Sequence, residues 1–179
     1  MTAPTSLAAL PALLQPLRAR ASGAGDSAFL ARLYASTRPD LASQTADPAF
    51  VAGLIAMQQR FQAAGYRADF PGACYLLLER DGAPCGRIVV DAGAQALRLV
   101  DIALLPAAHG HGVGSHVLRA LQQCAEVTGL PLRLAVHRSN PRARRLYLAL
   151  GFQSSSCNEV SEQMVYPSKS CTFANDDVK

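Results

Sequence analysis

The spacing of apolar and polar residues along this chain changes period twice, from helical to alternating and then to a mixture of the two. Leu17 to Ala21 alternates apolar and basic positions and predicts a first strand. Asp26 is placed to cap an amphipathic run from Ala28 to Ala35, with Phe29, Leu30, Leu33 and Tyr34 at helical spacing and Pro39 as its stop. A second helix is predicted from Pro48 to Ala64, closed by Gly65, with Phe50, Leu54, Met57 and Phe61 sharing one apolar face. Pro71 and Gly72 make a turn, and the pattern then becomes that of strands.

Cys74 to Arg80 reads as a strand, Asp81-Gly82 as a hairpin turn and Cys85 to Asp91 as the return strand. After a turn over Asp91 to Gln95, Leu97 to Leu105 is almost continuously apolar, as a central strand would be. Pro106 ends it, and a glycine-rich loop leads into a helix from Val113 to Thr128, with Val117, Leu121, Cys124 and Thr128 stacked at 3–4 spacing. Gly129 and Pro131 terminate that helix. A strand from Leu132 to Val136, a helix from Asn140 to Leu150 and two short strands around Asn158 to Ser161 complete the pattern. Hairpins first and strand–helix–strand later define an α/β chain: a mixed central sheet flanked by helices, in one domain over residues 1–166. Residues 167–179 read as a solvated tail, and no internal repeat is visible.

With 50% hydrophobic residues among 179, the chain can bury a sizeable core. Nothing in it approaches the length of apolar run needed to cross a bilayer. The apolar stretch from Met1 to Leu17 contains Pro4, Pro11 and Pro16 and no basic residue, which argues against a secretory signal and for the cytoplasm. The five cysteines, Cys74, Cys85, Cys124, Cys157 and Cys171, are odd in number and form no C-x-x-C pair. Reduced, packed thiols are expected rather than a disulfide scaffold or a zinc site. A formal net charge of +4 suits an anionic ligand without naming one, and no basic stripe interleaved with aromatics marks a nucleic-acid surface.

The chemistry concentrates in two places. In His109-Gly110-His111-Gly112-Val113-Gly114 the glycines allow sharp turns and close approach, while the following helix start offers unpaired N–H groups and Ser115 a hydroxyl. That combination suits phosphate oxygens, although a tight loop without a ligand has the same spacing. There is no Gly-Lys-Ser/Thr, so an NTPase loop is absent. The even spacing of Gly110, Gly112 and Gly114, with no acidic residue on the next strand, excludes the nicotinamide fingerprint. The second place is the helix after Asn140, with Asn140 as N-cap, Pro141 at the first helical position and Gly151 at the left-handed end. Ala143, Leu146, Tyr147 and Leu150 line one face, and Arg142, Arg144 and Arg145 sit near the start, where the helix dipole disfavours cations unless anions are near.

Together, Asp101 to Gly114 and Asn140 to Phe152 resemble the acyl-CoA-binding motif and the following Asn…Ala…Leu-Tyr…Gly-Phe motif of the GNAT acyltransferases. The resemblance implies the GNAT fold and an N-acetyltransferase that moves the acetyl group of acetyl-CoA directly to a primary amine. A non-catalytic acyl-CoA-binding or sensing domain would carry the same motifs. It further implies a V-shaped opening between the strand ending at Leu105 and the strand Leu132 to Val136. The pantetheine arm would pair with backbone at Leu104 and Leu105. The diphosphate would meet the amides of His109, Gly110, His111, Gly112, Val113 and Gly114, with Ser115 and Asn140 also touching the coenzyme and Tyr147 near the sulfur. His109 and His111 stand where the family usually has Arg or Gln and often Arg, so positive charge is lost there unless they are protonated.

Thioester aminolysis needs an oxyanion donor, an acid for the thiolate and a neutral amine. A backbone N–H near Leu104 suits the first and Tyr147 the second. For a base, Asp101 ranks before Glu79, with ion pairing to Arg87 or Arg98 or a water chain as alternatives. His109, His111 and His116 match no metal signature, and no metal is expected. The acceptor, small molecule or peptide, is not legible, and neither is the choice between monomer and homodimer.

Overall fold

The computed structural model describes residues 7–38 and 47–168. Pro39, Cys171 and all of the expected tail beyond residue 168 lie outside them. Seven strands form one sheet: β1 (Arg18–Ala21), β2 (Cys74–Arg80), β3 (Ala83–Ala92), β4 (Leu97–Leu104), β5 (Leu132–His137), β6 (Gln153–Cys157) and β7 (Ser161–Tyr166). Their order is β1-β2-β3-β4-β5-β7-β6. The β4–β5 pair is parallel and the others are antiparallel. The β2–β3 hairpin turns on Asp81 (φ 53°) and Gly82 (φ 77°), the two left-handed residues a tight primed turn requires.

The functional geometry begins with a break in this sheet. β4 and β5 pair only at Leu97–Leu132, Arg98–Arg133 and Leu99–Leu134. Opposite β3 the register slips at the same level, Val90 facing Leu99 and Val89 facing Asp101, so Val100 is an extra residue on β4. A bulge bends its strand and increases the local twist. Beyond Val100, β4 stays on β3 while β5 follows β7, and a gap opens toward the C-terminal ends of both. The bulge also resets the alternation: Leu97, Leu99, Ile102 and Leu104 pack with one core, whereas Ala103 and Leu105 pack with a second on the other face.

The larger core lies under α1 (Leu10–Leu13) and α4 (Val113–Thr128). Val117, Leu121 and Cys124 of α4 are buried against α1 and the sheet, as their spacing predicts; each such aliphatic side chain contributes about 1.5–3 kcal/mol. Thr128, on the same stripe, is half-buried and its hydroxyl donates to the Cys124 carbonyl at 2.9 Å. No helix was expected at α1, although Leu7, Leu10, Leu14 and Leu17 recur at helical 3–4–3 spacing; they bury it, and His116 Nε2 meets the Leu14 carbonyl at 2.9 Å. On the opposite face, Phe29 and Leu33 of α2 (Ser27–Ser36) cover Leu77.

Three local expectations are corrected. Asp26 does not cap α2 through its side chain; its carboxylate accepts from Arg20 at 2.7 and 2.8 Å and from the Gly23 N–H at 2.8 Å. The guanidinium, helped by that N–H, holds the Asp26 carboxyl down at about 2. The second helix does not stop at Gly65. α3 runs Pro48–Asp69, because a helical glycine costs only about 1 kcal/mol and nothing ends the run until Phe70. Nor does its apolar face meet the sheet. Gln58 accepts from Arg38, Gln62 from Arg87 at 3.4 Å, and the Tyr66 hydroxyl reaches Asp101 at 3.5 Å, so the inward face is a mixed one on which Val51 and Ile55 lie half-buried beside these polar groups.

Candidate active site

Pro106 starts the loop after β4 with a single tight turn, Pro106–Ala108, in which the Ala108 N–H donates to Leu105 O at 2.9 Å and the His109 N–H to Pro106 O at 3.0 Å. The His109 amide is therefore spent within the loop and cannot also serve a ligand. From Gly110 onward the backbone differs. Gly110 (φ 79°) and Gly112 (φ 76°) are left-handed, and a Cβ built on either meets nothing within 4 Å, so glycine is required by the angle while the space outside stays open. Gly112 is the N-cap of α4, whose first internal bond is His116 N–H to Gly112 O at 2.9 Å. The Val113, Gly114 and Ser115 amides of the first turn thus lack helical acceptors and carry the positive end of the dipole.

The facing wall is the free side of β4. Leu105 N–H donates to Cys85 O at 2.9 Å, so in an antiparallel ladder the groups of Leu104 turn the other way, into the gap. His109 Nε2 lies 3.1 Å from the Leu104 carbonyl there. Gly86 sits opposite Leu104, where an added Cβ would approach Leu104 Cδ2 to 2.5 Å and Ala103 O to 2.6 Å. Between the walls lies a cavity of about 520 Å³, within the range of small-molecule sites. Leu104, His109, Gly110, Gly112, Val113, Gly114, Ser115, Asn140 and Tyr147 line it, all of them expected from the sequence.

The floor is α5 (Pro141–Ala149), and its caps explain why Tyr147 stands where it does. The Asn140 side chain accepts from Ala143 N at 3.0 Å. At the other end Phe152 N–H donates to Tyr147 O and Gly151 N–H to Leu148 O, both at 3.0 Å, with Gly151 at φ 84°: a Schellman end. The hydrophobic contact that accompanies this motif is the Tyr147–Phe152 ring pair, centroids 5.8 Å apart and tilted by 56°. Tyr147 is 6% exposed, and burial, with a smaller contribution from the Asp101 charge, pushes its phenol up to about 12. It is a protonated donor throughout the neutral range.

The remaining sequence candidates fall elsewhere. Leu105 spends both backbone groups on Cys85 and Ala108 and packs its side chain toward Phe29, Leu33 and Leu77, away from the gap. His111 is exposed and does not line the cavity, and His116 is tied to α1. Asp101 lies on the α3 side of the sheet, its Oδ2 2.5 Å from Arg87 Nη2 and its Oδ1 3.5 Å from the Tyr66 hydroxyl. Glu79 is not brought to the site: it accepts from Arg20 Nε at 2.7 Å, in the network that holds Asp26. Of the three arginines, Arg144 pairs with Glu162 at 2.6 Å and lowers that carboxyl, while Arg142 lines the cavity. The sequence pointed to Arg142 only as one of three arginines near anions and to Leu146 only as a neighbour of Tyr147 on the helix face, and it did not single out Gly86 or Ile102. The signal for Gly86 was a glycine inside a strand, which marks close backbone approach.

A parallel pair split beyond a bulge, with helix amides on one side of the gap and a buried phenol below, is the arrangement that the resemblance in the sequence implies. The family model described as Acetyltransferase (GNAT) family matches residues 33–152, and the chain belongs to that family. Among solved structures, the PaiA N-acetyltransferase of Thermoplasma acidophilum, determined in complex with coenzyme A, superposes with a TM-score of 0.62 at 16% identity, over 84% of this chain and 98% of that one. An acetyltransferase from Thermus thermophilus gives 0.61 at 19%, over 84% and 96%. The ribosomal-protein-S18-alanine N-acetyltransferase of Escherichia coli gives 0.58 at 20%, over 91% and 99%. At these identities the likeness establishes the fold. No curated protein matches the chain.

Proposed function

We propose that the chain transfers the acetyl group of acetyl-CoA directly to a primary amine, and that it does so in the cytoplasm. The observation that carries this reading is one cavity shared by the Gly110–Ser115 backbone, the open side of Leu104 and the Tyr147 side chain. Amides from Gly110 to Ser115 hold the diphosphate at the helix start, and Arg142 adds a full positive charge beside them. The pantetheine lies along β4 as an added strand, and the Leu104 N–H faces the thioester oxygen, where it steadies the developing oxyanion.

As the C–N bond forms and the C–S bond breaks, one proton must leave nitrogen and one must reach sulfur. A phenol near 12 does not yield its proton outright to a thiolate whose thiol titrates at about 8.5. Tyr147 instead donates a hydrogen bond to the departing sulfur, and the proton shed by the new amide nitrogen completes the exchange. Asp101 is held by Arg87 on the α3 side of the sheet, and its charge is felt at the Tyr147 phenol. It is assigned to the incoming amine, either as base or as the group that steadies its ammonium form. The test is thiol release from acetyl-CoA in the presence of a panel of primary amines, from amino acids and polyamines to peptides. Amine-dependent release supports transfer; coenzyme binding without release for any amine points to a sensing domain instead.

A further inference from the structure

We infer that α3 pairs, antiparallel and about a two-fold axis, with α3 of a second copy of this chain. The helix is 22 residues long and buries none of them fully. Its inward face carries Gln58, Gln62 and Tyr66, each with a polar partner on another element. Phe50, Met57 and Phe61 are 65%, 42% and 70% exposed, and the centre of their stripe lies about 110° round the helix from Gln62. With Leu54 the intervals are four, three and four residues, the narrow seam by which one helix meets another rather than a sheet. The inward side is mixed, half-buried Val51 and Ile55 lying beside the glutamines, while the exposed seam of Phe50, Met57 and Phe61 lacks a covering partner among the described residues.

The seam complements itself. In an antiparallel pair centred between Ile55 and Ala56, Phe50 lies opposite Phe61 of the second copy and Leu54 opposite Met57, so two aromatic layers enclose two aliphatic ones. Arg60 is the one charged residue between Pro48 and Tyr66, so the seam carries no charge of its own. The exposed parts of the four phenylalanines alone amount to on the order of 500 Å² of apolar surface. Met57, Leu54 and the helix flanks bring the contact to the low end of specific interfaces, about 1,000 Å². That area suits a dimer in the micromolar range, and the pairing braces the helix whose inner face holds Tyr66 and Gln62 over Asp101 and Arg87.

The experiment is sedimentation velocity on the full chain across a hundredfold range of concentration, with circular dichroism to check folding. The wild type is expected to shift from monomer to dimer. Phe61→Glu, an exposed position, should keep the melting temperature and raise the dissociation constant by about tenfold or more. The double variant Phe50→Lys with Phe61→Glu puts opposite charges in facing positions only if the helices run antiparallel, and it should associate more tightly than either single variant. A wild type that stays monomeric throughout overturns the inference and leaves the seam to another partner. A Phe61→Glu variant that dimerises unchanged overturns it as well. A double variant weaker than both singles overturns the antiparallel register.

Discussion

Replacing Tyr147 by Phe removes one oxygen from a ring that is otherwise fixed by the Schellman end and by Phe152. The phenol titrates at about 12 instead of 10, chiefly because burial penalises the phenolate. The folded state therefore disfavours ionisation by a factor on the order of 100, or about 3 kcal/mol. Since the folded value lies above the unfolded one, this contribution is fully present below pH 10 and is lost as the pH rises from 10 to about 12. Tyr147→Phe should leave neutral-pH stability within about 1 kcal/mol of wild type and unfold less readily above pH 10. Its turnover of acetyl-CoA with a competent amine should fall by roughly 10²–10³-fold, the loss expected when one preorganised donor to a developing charge is removed, while coenzyme affinity stays within about twofold. Thiol release, calorimetry with coenzyme A and melting curves from pH 7 to 12 read the three quantities separately. Unchanged turnover with intact binding removes Tyr147 from the mechanism; lost binding makes it a packing residue.

Other consequences follow from particular contacts. Gly86→Ala drives a methyl group against backbone at Ala103 O, 2.6 Å away, and should lower stability by about 1–3 kcal/mol in denaturant melts while weakening coenzyme binding through Leu104. Gly112→Ala forces a side chain into a left-handed angle, and about 1–2 kcal/mol of strain should appear as a lower melting temperature together with reduced coenzyme affinity. Asp101→Asn removes the charge that faces the buried Arg87 at 2.5 Å; a stability loss of up to about 3–5 kcal/mol should accompany any loss of rate, and a rate loss at unchanged stability would identify a base instead. The Asp26 carboxyl, held at about 2 by Arg20, stabilises the fold above pH 4 and ceases to do so as the pH falls through 2; Asp26→Asn should flatten the acid limb of a melting-temperature profile.

Much of this architecture was legible because local chemistry and tertiary role agree. The apolar runs between turn signals give β2 to β5 to within two residues, and Asp81-Gly82 fixes the hairpin by its backbone angles. The Leu-Tyr…Gly-Phe signature is readable since the same residues end α5 and anchor Tyr147. Failures occur where a partner distant in sequence decides. Asp26 is a good cap, but Arg20 competes for its carboxylate more strongly than helix amides do. The apolar stripe of α3 carried the ordinary sign of a core face, yet Arg38, Arg87 and Asp101 draw the polar side inward. Leu105 and the His109 amide fell to local hydrogen bonds, to Cys85 and Pro106, that no periodicity reveals. Glu79 was separated from the site by its strand position beside β1, which only the pairing order shows.

The proposed acetyl transfer depends on coenzyme diphosphate being held by amides that follow Pro106. An ¹⁵N–¹H titration of the labelled chain with coenzyme A addresses that claim residue by residue, since Gly110, Gly112 and Gly114 report from within the loop itself. Saturable shifts concentrated on those three glycines, with Ser115 and Leu104 following, are the predicted result. A spectrum in which they stay fixed while coenzyme A is in excess contradicts it.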